Sequence, residues 1–281
     1  MQLSVCHYSY HRTWEKEGWG CQKLADETKA AGAVAIDFHV GFLDDLSAAK
    51  EEIESALAAT GLKLSGLSLS NDFNSDDPAE FKKQVDAVKD GIHLAAAVNA
   101  PNSRIFGGHI EGGGDHAARE QGRQRILDGL GEVVRDAEKL GVTLALENHG
   151  GLPCLADDQV EVIKTINSPN LKATIDIGNY MQCGQEGHEA VAIAARHAAY
   201  IHLKDFKKKP GWQAGQPCFG KIDPCTVGQG DVDVAACVEE LRKISYQGFM
   251  ALEYEGPDDE RRGVKESLDF MYTILRPEEV G

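Results

Sequence analysis

VTLALENHG, Val142–Gly150, holds the pattern that decides the fold: an apolar, strand-like run that ends on an acidic side chain, Glu147, followed by Asn148 and His149. Three later segments repeat it in order. LKATIDIGN from Leu171 carries Asp176, AYIHLKDF from Ala199 carries His202, and GFMALEYE from Gly248 carries Glu253. Ionised groups are almost never buried unless they are paired or bound to a metal. Three carboxylates and one imidazole, each at the polar tip of an apolar run, are poor core residues and suitable metal ligands.

Working outward, four more runs of the same kind precede these: LSVCHYS from Leu3, AVAIDFHV from Ala33, LKLSGLSLS from Leu62 and SRIFGGH from Ser103. Each is followed by a longer, charge-rich segment with helical spacing. Glu80 to Val98 has the apolar positions of a helix at Phe81, Val85, Val88, Ile92 and Leu94. Asp115, after three glycines, can cap a helix running to Leu140, and Gly61 and Gly141 stand where helices must stop. Strand starts about 30 to 50 residues apart suit repeated strand, loop, helix and return loop. The expected fold is therefore α/β, a single (β/α)8 TIM barrel over residues 1–281, with an open doubly wound sheet as the alternative.

The chain has 281 residues, 42% hydrophobic and 26% charged, enough for one large core without a second domain. Its 29 basic and 45 acidic residues leave a formal charge of −16, which repels phosphate backbones and acidic lipid surfaces. Neither nucleic acid nor membrane is expected as a partner. No stretch approaches the roughly 18 apolar residues of a membrane span, and the N-terminus lacks a basic region followed by an apolar one, so a soluble cytoplasmic protein is expected. The seven cysteines form no CxxC pair and read as reduced thiols, mostly small core residues.

In such barrels catalytic groups come from the carboxyl ends of several strands. The four tips belong to consecutive strands, five to eight, so they form an arc around one side of the mouth and can converge on one ion. Three carboxylates and an imidazole suit a divalent ion, Mn²⁺ ahead of Mg²⁺, Co²⁺ or Zn²⁺, with positions left for water or substrate. No organic cofactor site is read.

The motifs ALENHG, TIDIGN, IHLKD, VGQGDVD and ALEYEG resemble, in order and spacing, the second half of the xylose isomerase-like TIM-barrel superfamily of sugar isomerases and epimerases. That superfamily includes ketose 3-epimerases, inosose dehydratase and the endonuclease IV branch. The first half resembles it in βα pattern only. The resemblance implies Glu147, Asp176, His202 and Glu253 as metal ligands, the two glutamates also as the acid/base pair, a small-molecule sugar or keto-sugar as substrate, and a dimer or tetramer. A metal chelated by a ketone oxygen and its neighbouring hydroxyl acidifies the adjacent C–H and stabilises an enediolate. Glu147 and Glu253, at the two ends of the arc, could then remove and return a proton from opposite sides, which is an epimerisation. Expulsion of a β-hydroxyl or glycosidic oxygen from the same enediolate would make the enzyme a dehydratase or lyase.

Asn179 stands where epimerases and endonucleases often have histidine; an amide can bind a hydroxyl but is a poor metal ligand. His149 points to the same side of its strand as Glu147 if extension persists. Lys204 can hydrogen-bond an enediolate oxygen or pair with a ligand carboxylate, or lie in a surface ion pair. On the other half of the mouth Tyr8 and His109, with Asp37, His39 and Asn71, are candidates for shaping the sugar pocket, and Trp14, Trp19 and Phe42 for stacking on sugar or packing loops. Lys207–Gly230 is a long irregular stretch expected to form a wall or lid. Gly228 and Gly230, before a helix, give a weak phosphate signal that Asp231 as a cap explains equally well. Asn179 and the net charge oppose a trinuclear zinc nuclease, and both retained glutamates oppose a non-catalytic sugar-binding barrel.

Overall fold

The eight apolar runs become eight parallel strands in the computed structural model, which describes residues 1–43 and 45–279. They are β1 (Gln2–Val5), β2 (Ala35–His39), β3 (Lys63–Ser68), β4 (Ser103–Phe106), β5 (Leu144–Glu147), β6 (Leu171–Asp176), β7 (Ala198–Leu203) and β8 (Phe249–Leu252). Consecutive strands pair in parallel, and β8 returns to β1 with Gln2 opposite Phe249 and Val5 opposite Leu252, so the sheet is a closed barrel. The open-sheet alternative is thereby excluded. Asp44, Val280 and Gly281, within the expected extent of 1–281, lie outside the described residues.

Alternation along the strands separates two cores. Large aliphatic side chains such as Leu144, Leu146, Ile175, Ile201, Met250 and Leu252 join the layer packed against the helices. Residues adjacent to them in the strands face the barrel axis, where Cys6, Ala145, Tyr200 and Ala251 form a separate small cluster. Along β5 and into the tip of β8 the pattern is therefore Ala145 then Glu147, and Ala251 then Glu253. Small residues fill the floor and acids crown it. The Tyr200 hydroxyl closes this floor, 2.9 Å from Ser65 Oγ.

The helix signals also have their expected physical form. The Glu80–Val98 segment is the helix Pro78–Ala97, its Asp77 cap accepting from the Ala79 N–H at 2.9 Å. Asp115 caps His116–Leu140 through the Ala118 N–H, and Gly141 ends that helix at φ 71°. None of the described helices is long and apolar enough to cross a membrane.

Two expectations need correction. Lys207–Gly230 is not wholly irregular: Asp205–Lys208 and Ile222–Cys225 pair as an antiparallel hairpin, Lys207 opposite Asp223. Its short polar strands, interrupted by Pro224, give too weak an alternation to be read from sequence. The cysteines are not all free thiols, since Cys154 and Cys183 are joined, with Cα atoms 6.0 Å apart. Loops after β5 and β6 bring them together across 29 positions, a proximity invisible in the chain order.

Candidate metal centre

Glu147, Asp176, His202 and Glu253 converge as the arc of strand tips requires: one ligand-type atom of each lies within 4.8 Å of all the others. All four are buried, with Glu253 the most open at 6%. His202 Nδ1 sits between the glutamates, 3.4 Å from Glu147 Oε1 and 3.2 Å from Glu253 Oε2. Asp176 is fixed by its own turn, its Oδ1 accepting the Gly178 and Asn179 N–H groups, both at 2.9 Å. The neighbouring Asn148 locks β5 to β6: its amide donates to the Asp176 carbonyl and its Oδ1 accepts the Asp176 N–H.

Two buried cations hold the carboxylates apart. Arg104, in the middle of β4 and 1% exposed, places Nε 3.2 Å from Glu147 Oε2 and donates from Nη1 to the Leu69 carbonyl at 2.8 Å. Lys204, 2% exposed, lies 2.9 Å from Glu253 Oε2, 3.3 Å from Asp176 Oδ2 and 3.1 Å from Glu255 Oε1. Sequence reading weighed Lys204 and missed Arg104. The available signal was a lone charge inside SRIF, since a permanent cation within a buried strand must meet an anion.

A divalent cation fits this donor set. Four buried carboxylates, Asp37, Glu147, Asp176 and Glu253, face two buried permanent cations, Arg104 and Lys204. That leaves two negative charges, which a dication balances with His202 neutral. Buried Glu147 Oε2, Asp176 Oδ2 and His202 Nε2 make no hydrogen bond, so donor capacity remains at the site. Asp37 adds to the field beside the same imidazole, one oxygen lying with Cys6 Sγ and a His202 nitrogen inside 4.8 Å. It is itself held by the His7 N–H at 3.1 Å and by the Ser68 hydroxyl.

Protonation follows from these neighbours. Burial alone would lower the His202 imidazole, but Glu147 and then Glu253 outweigh it and raise it to about 10. Burial pushes Asp176 up to about 7 against the pull of Lys204. Burial also acts to raise Glu147, yet His202 and Arg104 hold it down at about 2. Metal ions must therefore displace a proton from His202, and affinity is expected to rise about tenfold per pH unit through neutrality, more steeply below pH 7 where Asp176 is also protonated. Calorimetry in buffers of different ionisation heat checks this, with about one proton released per ion at pH 8.

The other site residues fall into two groups. Asn179, 4% exposed, donates from Nδ2 to Glu147 Oε1 at 3.3 Å, so it braces a ligand from within the cluster. His149 stacks on Phe106 with centroids 4.2 Å apart, and burial lowers it to about 4, leaving a neutral ring beside Glu147. Tyr8 stacks on His11 at 4.3 Å, its phenol raised by burial and by Glu255 and Glu253. His109 stands apart, exposed on a short hairpin with Gly151, its backbone held by Asp72 and Asn74. Trp14 and Phe42 close on His7, with centroids 4.2 and 4.8 Å from it, while Trp19 is packed between Tyr10 and Arg261.

Comparison with known proteins gives the same family as the motifs. The family model described as xylose isomerase-like TIM barrel matches residues 25–274. The chain is 24% identical over 194 residues to an uncharacterised protein of Methanocaldococcus jannaschii, the match covering 64% of this chain and 61% of that one, less than two thirds of its length. It is 25% identical over 224 residues to the L-ribulose-5-phosphate 3-epimerase UlaE of Escherichia coli K12, covering 77% and 74%. A solved structure of the IolI protein with a bound zinc atom shares the fold, with a TM-score of 0.77, 16% identity and 98% coverage of each chain. On a match that runs from the helix before β2 to the last turns of the final long helix, the chain belongs to the xylose isomerase-like TIM barrel family.

Proposed function

We propose that this protein is a divalent-metal-dependent epimerase or isomerase of a ketose or keto-sugar, acting through proton transfer at a carbon next to the carbonyl. The observation that carries this reading is the placement of Glu147 on β5 and Glu253 just beyond β8, at opposite ends of one arc, with Asp176 and His202 between them. The relationship to a ketose 3-epimerase supports it.

A divalent ion held by the four side chains, with Mn²⁺ the first expectation, would polarise the ketone oxygen and its neighbouring hydroxyl as a Lewis acid. The chain supplies the rest. Glu147 and Glu253 are both held as carboxylates, so each meets substrate as a proton acceptor rather than a donor. One removes the proton, leaving an enediolate. The opposite glutamate, once it has taken a proton from solvent, delivers it to the other face and inverts the carbon, whereas return of the abstracted proton by the first glutamate to the neighbouring carbon isomerises the sugar. The Lys204 ammonium, fixed among three carboxylates, puts positive charge on the Glu253 side of the mouth. Tyr8, close enough to Glu255 and Glu253 to feel their charge, and His149, stacked on Phe106, are the groups assigned here to contact the sugar.

Proton NMR of free ketoses incubated with Mn²⁺-loaded protein tests the reading, an epimer or isomer being the expected product. Chelation is expected to abolish turnover, and one equivalent of Mn²⁺ to restore it. Saturating Mn²⁺ should also raise stability by about 2.7 kcal/mol at a hundred times its dissociation constant. Full turnover by chelated protein would contradict the proposal.

A further inference from the structure

We infer that the substrate of this site is an uncharged polyhydroxylated ketone, bearing neither phosphate nor carboxylate; this rests on the proton-transfer reading above. In barrels of this architecture a phosphate is frequently held by loops after strands seven and eight and a nearby helix N-terminus. Here that place is VGQGDV, Val227–Val232, and an anion already fills it. The Asp205 carboxylate accepts the Gly228 and Gly230 N–H groups on Oδ2, both at 2.9 Å, and the Val232 and Phe206 N–H groups on Oδ1, at 3.1 and 2.8 Å. Asp205 is 1% exposed. A Cβ on Gly230 would stand 2.1 Å from Asp205 Oδ1 and 2.7 Å from the Phe206 carbonyl, so the backbone closes tightly around that carboxylate. A phosphate could enter only by displacing a tethered, buried anion that already has four donors.

Four cations around the mouth are committed as well. Arg104 serves Glu147, and Lys204 serves Asp176, Glu253 and Glu255. On the hairpin beyond β7, Lys208 lies 2.6 Å from Glu186 and over the Trp212 ring, and Lys209 lies 2.9 Å from Asp223. The exposed Lys207 stands opposite Asp223 in the hairpin register, with no ion pair of its own among the described residues. Apart from Lys207, the cations named here would meet an anionic substituent as already matched charges, within a formal protein charge of −16. Aromatic faces and hydroxyl-binding groups, Tyr8 and the Phe106–His149 stack, suit the C–H faces of a neutral sugar instead. The E. coli relative is named for a phosphorylated ketose; this chain is assigned the unphosphorylated class.

The test uses the full chain loaded with Mn²⁺ and matched pairs: L-ribulose with its 5-phosphate, and D-fructose with its 6-phosphate. Deuterium exchange from solvent reports turnover, and broadening of the phosphorus NMR line by Mn²⁺ reports whether an ester reaches the site at all. Exchange is expected with kcat/KM about 100-fold higher for a free sugar than for its ester, with no saturable phosphorus broadening at millimolar ester. Saturable broadening below millimolar, or faster exchange of an ester, would overturn the assignment. Broadening needs no turnover. A protein that exchanges no sugar and leaves the phosphorus line sharp would therefore refute proton transfer while upholding the exclusion of phosphate.

Discussion

Glu253→Gln is expected to lower solvent-deuterium exchange into a ketose by about three orders of magnitude, with a thermal midpoint close to that of the unsubstituted protein. The amide keeps the shape of the side chain but cannot take a proton. Stability is spared because Lys204 retains Asp176 and Glu255, and His202 retains Glu147. Glu147→Gln is expected to abolish exchange equally and to unfold more readily, because Arg104 would keep only the Leu69 carbonyl and the Phe106 face. Initial exchange rates and scanning calorimetry on the two variants separate chemistry from folding.

Arg104→Met is expected to have the largest effect on stability, a loss of about 3–5 kcal/mol in urea unfolding. Methionine fills much of the volume and remains apolar, but Glu147 would then stay buried with one cationic neighbour fewer, His202 at 3.4 Å. Removing both charges together, Arg104→Met with Glu147→Gln, is expected to recover part of the loss, since no unmatched charge is left. The interaction energy from that cycle measures the pair itself. Additive losses would show that Arg104 acts through packing alone.

The sequence makes the barrel and the convergence of Glu147, Asp176, His202 and Glu253 legible for one shared reason. Strand alternation puts Ala145 and Glu147, or Ala251 and Glu253, on the axial face, and the acid at the end of an apolar run marks the mouth. Such signals are local. Arg104 lies in β4, but its meaning depends on Glu147 of the neighbouring strand, 43 positions later, and only the pairing of β4 with β5 joins them. The filled anion cradle is hidden in the same way. HLKD and VGQGDV are each visible, yet the bonds from Gly228, Gly230 and Val232 to Asp205 span 23 to 27 positions. Gly228 and Gly230 therefore looked like a phosphate signal when they hold the chain's own carboxylate. Asn179, weighed as a substrate contact, braces Glu147 because the turn after Asp176 curls back toward β5.

The most direct test of the central claim is deuterium NMR of a free ketose incubated in D₂O with Mn²⁺-loaded protein and its two glutamine variants. Proton transfer between Glu147, Glu253 and substrate predicts one solvent-derived deuterium at a carbon beside the carbonyl, lost on chelation and in both variants. Epimer formed without deuterium, or exchange that survives both Glu147→Gln and Glu253→Gln, would contradict it.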